Sequence, residues 1–348
     1  MRTITPNYFM LLFILLGCSN DSFQQQEIEI TQTQLVNYLS EPIRPLTNPI
    51  MGTDKIRLGE LLFHDPRLSA DQSLSCASCH SLDKGGVDQV PFSVGMKGKK
   101  WQVNAPSVLN AAHNFRQFWD GKAATLDDQI EEAVQNEDGM GTDWEHIVQA
   151  LSEVPGYVSQ FRKVYHDDIS ATYIKDALIA FQKSLASPSR FDDFLLGDRN
   201  AISMDEKVGY LKFKEYGCTT CHQGINVGGN MFQKMGVVGD YFKDRGDIKP
   251  ADYGRYNLTG KESDKFVFKV PSLRNVALTA PYFHDGSVND LKTAIQLMGT
   301  YQLGKSVSNH DAALIALFLR SLTGKKYQTD GYEAATVSSL HISENIKY

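Results

Sequence analysis

The sequence lacks an excess of positive charge, which limits the partners it can be expected to bind. Among its 348 residues, 35 are Lys or Arg and 41 are Asp or Glu, and the formal net charge is −6. Without a basic stripe, nucleic acid is not predicted as a partner. Hydrophobic residues make up 42% of the chain, enough for ordinary globular cores. Strand-like alternation is rare, so the pattern predicts a mainly α fold.

The chain also lacks an apolar run long enough to span a membrane. The run Phe9–Leu16 has eight residues, whereas a spanning helix needs about 20. Behind Arg2, such a run is typical of a secretory signal peptide, which we predict over residues 1–17. Residues 15–18, Leu-Leu-Gly-Cys, resemble the lipobox of bacterial lipoproteins. We therefore expect a periplasmic protein anchored to the membrane through lipidated Cys18, although an ordinary signal peptide with an incidental Cys is the alternative.

Cysteine is scarce, and every cysteine has a candidate role. The five are Cys18, Cys76, Cys79, Cys218 and Cys221. If Cys18 carries lipid, the other four all fall in two C-x-x-C-H units. None then remains for a structural disulfide, which an exported chain could otherwise have used.

The two C-x-x-C-H units, at residues 76–80 and 218–222, are typical of c-type haem attachment. In such units the thiols bond to the two vinyl groups of haem and the His ligates the iron. His80 and His222 are therefore predicted iron ligands, and two covalently bound haem c groups are the predicted cofactors. A zinc site built from both Cys pairs and a thioredoxin-like redox pair are the alternatives. A redox pair usually lies in a βαβ setting, and no such alternation is visible.

Helical apolar spacing surrounds both units and predicts two domains. It precedes each unit, at 56–63 and 208–213, and it recurs at 171–186 and 309–322. We predict two mainly helical haem domains in tandem. The full predicted division is a signal peptide (1–17), a lipid anchor and N-terminal extension (18–50), an N-terminal haem domain (51–195), a C-terminal haem domain (196–330) and a tail (331–348).

Five further segments point to a family. They are 104–110 (NAPSVLN), 118–121 (FWDG), 268–276 (FKVPSLRNV), 279–286 (TAPYFHDG) and 298–304 (MGTYQLG). Together with the two C-x-x-C-H units they closely resemble the bacterial dihaem cytochrome c peroxidase family, which includes the dihaem enzymes that oxidise protein tryptophans. The resemblance runs from about residue 45 to 325.

This resemblance implies a fold and an activity. The implied fold is two class I cytochrome c-like domains in tandem, often in a homodimer. The implied reaction is reduction of hydrogen peroxide to water with electrons from a small redox protein, a cytochrome c or a cupredoxin. A dihaem oxidase of another substrate, and a non-catalytic electron carrier or peroxide sensor, are the alternative functions.

The resemblance also implies that the two haems differ. Met298 stands where the family has the distal Met ligand of the C-terminal haem, at which electrons enter. His/Met ligation raises the potential of a haem. The tryptophan-oxidising relatives have Tyr at this position, so Met298 favours a peroxidase. Trp119 matches the family's Trp that relays electrons between the haems.

The N-terminal haem is the implied peroxide site, and its sixth iron ligand is open to two interpretations. Met96 lies 16 residues after His80, where many members have a His that caps the iron. The flanking glycines and lysines favour a solvated loop that leaves the iron open. The alternative is that Met96 itself ligates the iron.

The distal side of this haem also departs from the family. Gly139 stands where the family has a Glu that moves the peroxide proton. Cleavage of the O–O bond needs such a proton carrier, so we expect Glu137 or Asp138 to turn inward and replace it. Gln129 matches the family's second distal residue, which hydrogen-bonds the peroxide.

The resemblance finally implies a calcium site and haem propionate contacts. Asn104, Thr279 and Pro281 match the family's calcium ligands, an Asn side chain and two backbone carbonyls. Arg274 and His284 are the expected partners of haem propionates.

Overall fold

The structure, a computed structural model, describes residues 41–49 and 52–324, which are mainly helical. The predicted signal peptide, the lipidation of Cys18 and the tail at 331–348 lie outside the described residues. Within the described residues, no helix is long and apolar enough to cross a membrane.

The helices are mostly short and are joined by loops and single 3₁₀ turns. The α-helices are α1 (Asp54–Phe63), α2 (Cys76–Cys79), α3 (Leu126–Gln135), α4 (Trp144–Ser152), α5 (Pro155–Tyr165), α6 (Ala171–Ser184), α7 (Arg190–Leu195), α8 (Met204–Tyr216), α9 (Tyr241–Arg245), α10 (Tyr256–Thr259), α11 (Leu291–Leu297) and α12 (Asn309–Ser321). The 3₁₀ turns are Pro66–Leu68, Leu82–Lys84, Met96–Gly98, Ala111–His113, Cys218–Thr220, Pro250–Tyr253, Glu262–Asp264 and Val276–Leu278, and a π-helical turn, Met298–Gln302, continues α11.

The N-terminal half is built on the crossing of α1 and α6. Thr53 caps the start of helix α1, because its side chain accepts a hydrogen bond from the Ile56 amide. Helix α1 buries its apolar residues against α6. The helices meet at Gly59, where an added Cβ would lie 2.0 Å from the Ala177 carbonyl oxygen. Only glycine therefore allows this close crossing. Phe63 packs on Phe181 nearby, with ring centroids 5.2 Å apart.

The C-terminal half repeats this arrangement with α8 and α12. Helix α8 ends at Gly217, whose φ of 95° turns the chain into the second C-x-x-C-H unit. At Gly209 an added Cβ would lie 2.0 Å from the Leu314 carbonyl oxygen. The ring of Phe318 packs 5.1 Å from that of Phe213 in the core that α8 and α12 share. The described residues of both halves belong to one compact unit.

A two-stranded antiparallel sheet lies between the second C-x-x-C-H unit and α11. Strands β1 (Phe232–Lys234) and β2 (Val267–Lys269) pair with Phe232 opposite Lys269. Near the sheet, Phe268 clusters with Tyr241 and Phe242 of α9. The sheet places Lys269 and Phe268 on the wall of a cavity that the second C-x-x-C-H unit also lines.

Two loop segments have the same backbone geometry. Asn110 and Asn275 each have φ of 62° and ψ of 8° and each begins a 3₁₀ turn. Phe118 and Phe283 also share a positive φ, at 66° and 69°. Each of these pairs is 165 residues apart in the sequence. The halves therefore contain an ungapped internal repeat after their C-x-x-C-H units.

Candidate haem sites

The first C-x-x-C-H unit lies on the wall of a largely apolar cavity in the N-terminal half. Cys76, Cys79 and His80 all line it. The His80 ring is held by a 3.2 Å contact between Nδ1 and the Gly86 carbonyl oxygen. Burial lowers the pKa of His80, so the imidazole is neutral and Nε2 is left to ligate a metal.

The second unit lines a separate, larger cavity in the C-terminal half. Cys218, Cys221 and His222 share its wall with Met298. Burial lowers the pKa of His222 to about 4, which keeps this ring neutral as well. Gly228 is required here because an added Cβ would lie 3.1 Å from His222 Nδ1 and 2.3 Å from the Pro271 oxygen. The His222 ring is thus packed tightly beside Gly228 of its own loop and the loop that follows β2.

The cysteines do not fit the two alternative interpretations. Burial raises the pKa of Cys76 to about 12 and that of Cys218 to about 11. A catalytic redox thiol has a lowered pKa, so these thiols do not resemble one. The two pairs line different cavities, so they do not build one zinc site. Thiols beside a neutral His on an apolar wall fit covalent attachment of haem.

Met298 is brought to the C-terminal cavity by the π-helical turn after α11. This turn packs tightly at Gly299, where an added Cβ would lie 2.4 Å from Val307 Cγ2. The cavity thus has a thioether and the His222 imidazole on its wall, which are the two donors of a His/Met iron.

Gln129 lines the N-terminal cavity, as predicted for the distal amide, but the two predicted proton carriers do not. Glu137 is exposed, and Asp138 forms an ion pair of 3.0 Å with Lys99 while 48% of its side chain is accessible. The expectation that one carboxylate turns inward does not agree with this arrangement. The physical reason is that the solvated ion pair with Lys99 holds Asp138 at the surface.

Trp101 takes the space that a side chain at position 139 would need. An added Cβ at Gly139 would lie 2.7 Å from Trp101 Cζ2. Trp101 itself lines the N-terminal cavity beside Gln129. Sequence reasoning missed this residue, although glycine in place of a large family residue was a signal that a neighbour fills the space.

Met96 is buried and does not lie in a solvated loop. Its side chain is 7% exposed and packs on Gly141, where an added Cβ would lie 2.3 Å from Met96 Cε. The backbone amide of Met96 donates to the Gly139 oxygen. Met96 is not among the residues that line the N-terminal cavity. The expectation of solvation was wrong because the turn at 139–141 covers this side chain; the identity of the sixth ligand stays a prediction.

Trp119 lines both cavities. Its Nε1 donates a hydrogen bond of 2.9 Å to the Asn104 oxygen. Asn104 also lines both cavities. One aromatic ring, fixed in orientation, therefore separates the two candidate haem sites.

His284 lies on the wall of the C-terminal cavity, and one of its two ring nitrogens has no partner among the described residues. Nε2 is 2.7 Å from Asp252 Oδ1, and the buried Nδ1 has no hydrogen-bond partner among the described residues. Burial acts against the charge of Asp252, but hydrogen bonds from His284 and Arg245 hold its pKa below the usual value. The orphan Nδ1 suits a polar group in the cavity; because an ionised propionate only accepts, its contact with Nδ1 requires the imidazolium form of the ring, in which both nitrogens donate.

Lys269 adds a second polar group to this wall that sequence reasoning missed. It is 5% exposed, and burial lowers its pKa to about 8. A charged residue between the apolar Phe268 and Val270 was the signal that could have found it. A buried ammonium at this position suits an anionic group in the cavity.

Arg274 lines the C-terminal cavity and is also bound to groups of the protein itself, so its predicted contact with a haem propionate stays a prediction. Its guanidinium forms two hydrogen bonds with Asp192, of 2.7 and 2.8 Å, and Nε donates to the Ile225 oxygen at 2.7 Å. Both partners of this ion pair are almost fully buried. A buried guanidinium needs a buried counter-charge, and the protein supplies it through Asp192.

The three predicted calcium ligands lie on the wall of one cavity. Asn104, Thr279 and Pro281 all line the C-terminal cavity. The Asn104 amide nitrogen donates to the Val90 oxygen at 2.9 Å, which fixes the side chain. An amide and two backbone carbonyls are oxygen donors of the kind Ca²⁺ prefers, so these residues fit the ion.

Two cavities, each with a pair of half-buried thiols and a neutral His, define a dihaem c-type cytochrome. Comparison with known proteins narrows this class. The profile of the family described as "Di-haem cytochrome c peroxidase" matches residues 53–200.

Curated relatives match most of the chain. The chain is 43% identical over 304 residues to the cytochrome c peroxidase of Escherichia coli (strain K12), covering 86% of this chain and 65% of that protein. It is 41% identical over 288 residues to the cytochrome c551 peroxidase of Nitrosomonas europaea, covering 82% and 85%. Among solved structures, a MauG-like protein associated with microbial copper homeostasis has a TM-score of 0.70 at 29% identity, covering 83% of this chain and 94% of that one.

The chain belongs to the dihaem cytochrome c peroxidase family. The predicted family and enzyme class are therefore confirmed, and two haem c groups follow from membership. The mainly helical fold is confirmed as well.

Proposed function

We propose that the protein reduces hydrogen peroxide to water with electrons from a small redox protein. The observation that carries this proposal is that two cavities, each lined by a C-x-x-C-H unit, share Trp119 on their walls. Haem supplies the redox iron in each. The two crossings, α1 with α6 and α8 with α12, support two cytochrome c-like domains in tandem.

The two cavities suit different roles. Met298 and His222 give the C-terminal iron a His/Met ligand set, which favours the reduced state. Electrons would enter at this site, and Trp119, which lines both cavities, would relay them to the N-terminal site. The overall change is H₂O₂ + 2H⁺ + 2e⁻ → 2H₂O, so two donor electrons are used for each peroxide. The donor is a small cytochrome c or a cupredoxin.

Peroxide binds in the N-terminal cavity, where Gln129 and Trp101 are among the polar side chains of the wall. Gln129 holds the peroxide by a hydrogen bond. With Glu137 and Asp138 at the surface, protons reach the cavity by way of water and not by direct contact with either carboxylate. Removing a preorganised donor of this kind from a reacting oxygen typically costs about 10²–10³ in rate.

The other wall residues support the cofactors. His284 Nδ1 and the Lys269 ammonium hold propionates of the C-terminal haem, and Asn104, Thr279 and Pro281 hold one Ca²⁺. The protein is placed in the periplasm, is anchored through lipid on Cys18, and forms a homodimer. These proposals rest on the family resemblance and on the lipobox-like sequence.

The test is steady-state turnover of the purified holoprotein with a reduced cytochrome c and hydrogen peroxide. Two equivalents of donor should be oxidised for each peroxide consumed. Gln129→Leu should slow turnover by about 10²-fold, whereas Glu137→Gln with Asp138→Asn should leave it nearly unchanged. A protein that exchanges electrons with the donor but does not consume peroxide would be a carrier and not a peroxidase.

A matched variant tests the division of roles. Cys218→Ala with Cys221→Ala should leave one haem, in the N-terminal half, and abolish turnover with the donor. A pyridine haemochrome assay counts the haems. Full donor-driven turnover in this variant would show that electrons do not need the C-terminal site.

A further inference from the structure

The internal repeat continues from the loops into the helices that face the two cavities. Leu126 begins α3 and Leu291 begins α11, again 165 residues apart. Each helix follows an isolated antiparallel β-bridge at the same relative position. The two bridges pair Gln117 with Ala123 and Tyr282 with Val288. Because the spacing has no gap, residues of α3 and α11 can be paired one by one.

Three consecutive cavity-facing positions correspond. Gln129, Ile130 and Ala133 line the N-terminal cavity. Their counterparts at +165 are Ala294, Ile295 and Met298, and all three line the C-terminal cavity. The isoleucine is the same in both halves, so the helices present the same face. The two other positions carry different side chains. At one of them the longer side chain is in the N-terminal half, and at the other it is in the C-terminal half.

At one position a polar amide in the N-terminal cavity corresponds to a methyl group in the other. At the second position a methyl group, Ala133, corresponds to the thioether of Met298. We propose that Ala133 keeps the N-terminal iron open to peroxide, because it stands at the place from which the C-terminal half supplies its sixth ligand. This rests on the proposed function, in which each C-x-x-C-H unit carries a haem.

Ala133 on α3, and not the loop that carries Met96, then determines that the N-terminal iron is open. Met96, the residue at the family's capping position, is packed on Gly141 away from the cavity wall. Met140 does line the N-terminal cavity, but it also packs in the apolar core of that half at 8% exposure. Gln129 and Ala133 together would thus make one cytochrome-like half into a peroxide site.

The test is to supply the missing ligand with Ala133→Met. In the fully oxidised holoprotein, the high-spin electron paramagnetic resonance signal of the N-terminal haem should be lost, and a Met–iron charge-transfer band should appear for a second haem. Azide affinity should fall about 100-fold if Met occupies the iron in 99 of 100 molecules. Gln135→Met, on the exposed face of the same helix, is the control and should change neither readout.

The reciprocal variant separates this inference from the proposed function. Met298→Ala with Ala294→Gln should make the C-terminal haem bind azide as the N-terminal haem does. If it leaves the C-terminal haem unchanged, Met298 is not its ligand and the proposed function fails. If it opens that haem while Ala133→Met, with both haems attached, still binds azide like the wild type, only the inference about Ala133 is wrong.

A third variant covers the case in which Ala133→Met does not retain both haems. Gln129→Ala with Ala133→Met reproduces the pair found in the C-terminal half and makes room for the longer side chain. Low-spin character in this variant supports the inference. Unchanged high-spin character, or failure to retain haem in both Ala133 variants while Gln135→Met is normal, would overturn it, because a true counterpart of Met298 must accept methionine.

Discussion

Asp192→Asn is expected to destabilise the folded protein strongly. Asp192 and Arg274 are 1% and 3% exposed, and no solvent compensates for the loss of either charge. Asp192 Oδ1 accepts from the Leu46 amide and Arg274, and Oδ2 accepts from the Ser189 amide, the Ser189 hydroxyl and Arg274. Whichever way an Asn side chain is turned, its NH₂ group faces at least two donors.

The expected cost is about 3–5 kcal/mol of unfolding free energy, the usual result when one partner of a buried ion pair is removed. Equilibrium urea denaturation of the holoprotein, followed by circular dichroism, measures it as a lower midpoint at unchanged slope. Asp193→Asn, on the next residue, is the control and should cost little. A cost for Asp192→Asn equal to that of the control would refute the reasoning.

The ion pair of Asp192 with Arg274 also predicts that the free energy of unfolding depends on pH. Burial acts to raise the pKa of Asp192, but Arg274 and the hydrogen bonds outweigh it and hold the pKa below its usual value. A depressed folded-state pKa gives stability that is present above the unfolded pKa of about 3.9 and is lost as the pH falls through the folded value. The difference in stability between wild type and Asp192→Asn should therefore shrink only in acid, below about pH 4.

Two further predictions concern packing and electron transfer. Gly209→Ala should lower the unfolding free energy by about 1–3 kcal/mol or more, because the new Cβ would lie 2.0 Å from the Leu314 oxygen, whereas Leu211→Ala, 52% exposed on the same helix, should change it little. Trp119→Phe should keep both haems but slow the reduction of the N-terminal haem by the C-terminal one in stopped-flow absorbance, since this ring lines both cavities; an unchanged rate would show that electrons take another path.

The part of the site that could be predicted from the sequence consists of residues that belong to local motifs. The two C-x-x-C-H units, Met298, Trp119 and Gln129 each lie on the cavity wall that the motif implied. The helices predicted at 171–186 and 309–322 also agree with α6 and α12, because their apolar residues recur at helical spacing.

Roles that depend on distant partners could not be read from the sequence. Nothing in the segment of Arg274 shows that Asp192, 82 residues away, neutralises it. Met96 was placed in solvent because its flanking residues are polar, but its burial comes from Gly141. Trp101 and Lys269 have only indirect signals in the sequence, and the fold brings each of them to its cavity.

The repeat explains a further part that motif reading missed. The segments of either half, taken alone, do not show that Ala133 corresponds to Met298; the two Asn turns, with φ of 62° in both, align the halves and reveal this correspondence. Once aligned, the helical faces of α3 and α11 that line the two cavities differ at two positions, Gln129 with Ala294 and Ala133 with Met298. Differences between repeats are therefore as informative here as the motifs they share.

The central claim, that the two haems are inequivalent because only the C-terminal iron has a protein sixth ligand, is tested most directly by electron paramagnetic resonance of the fully oxidised protein. The account predicts one low-spin His/Met haem and one high-spin or water-ligated haem, in equal amounts. Two low-spin haems would contradict it, as would a sample with one haem per chain.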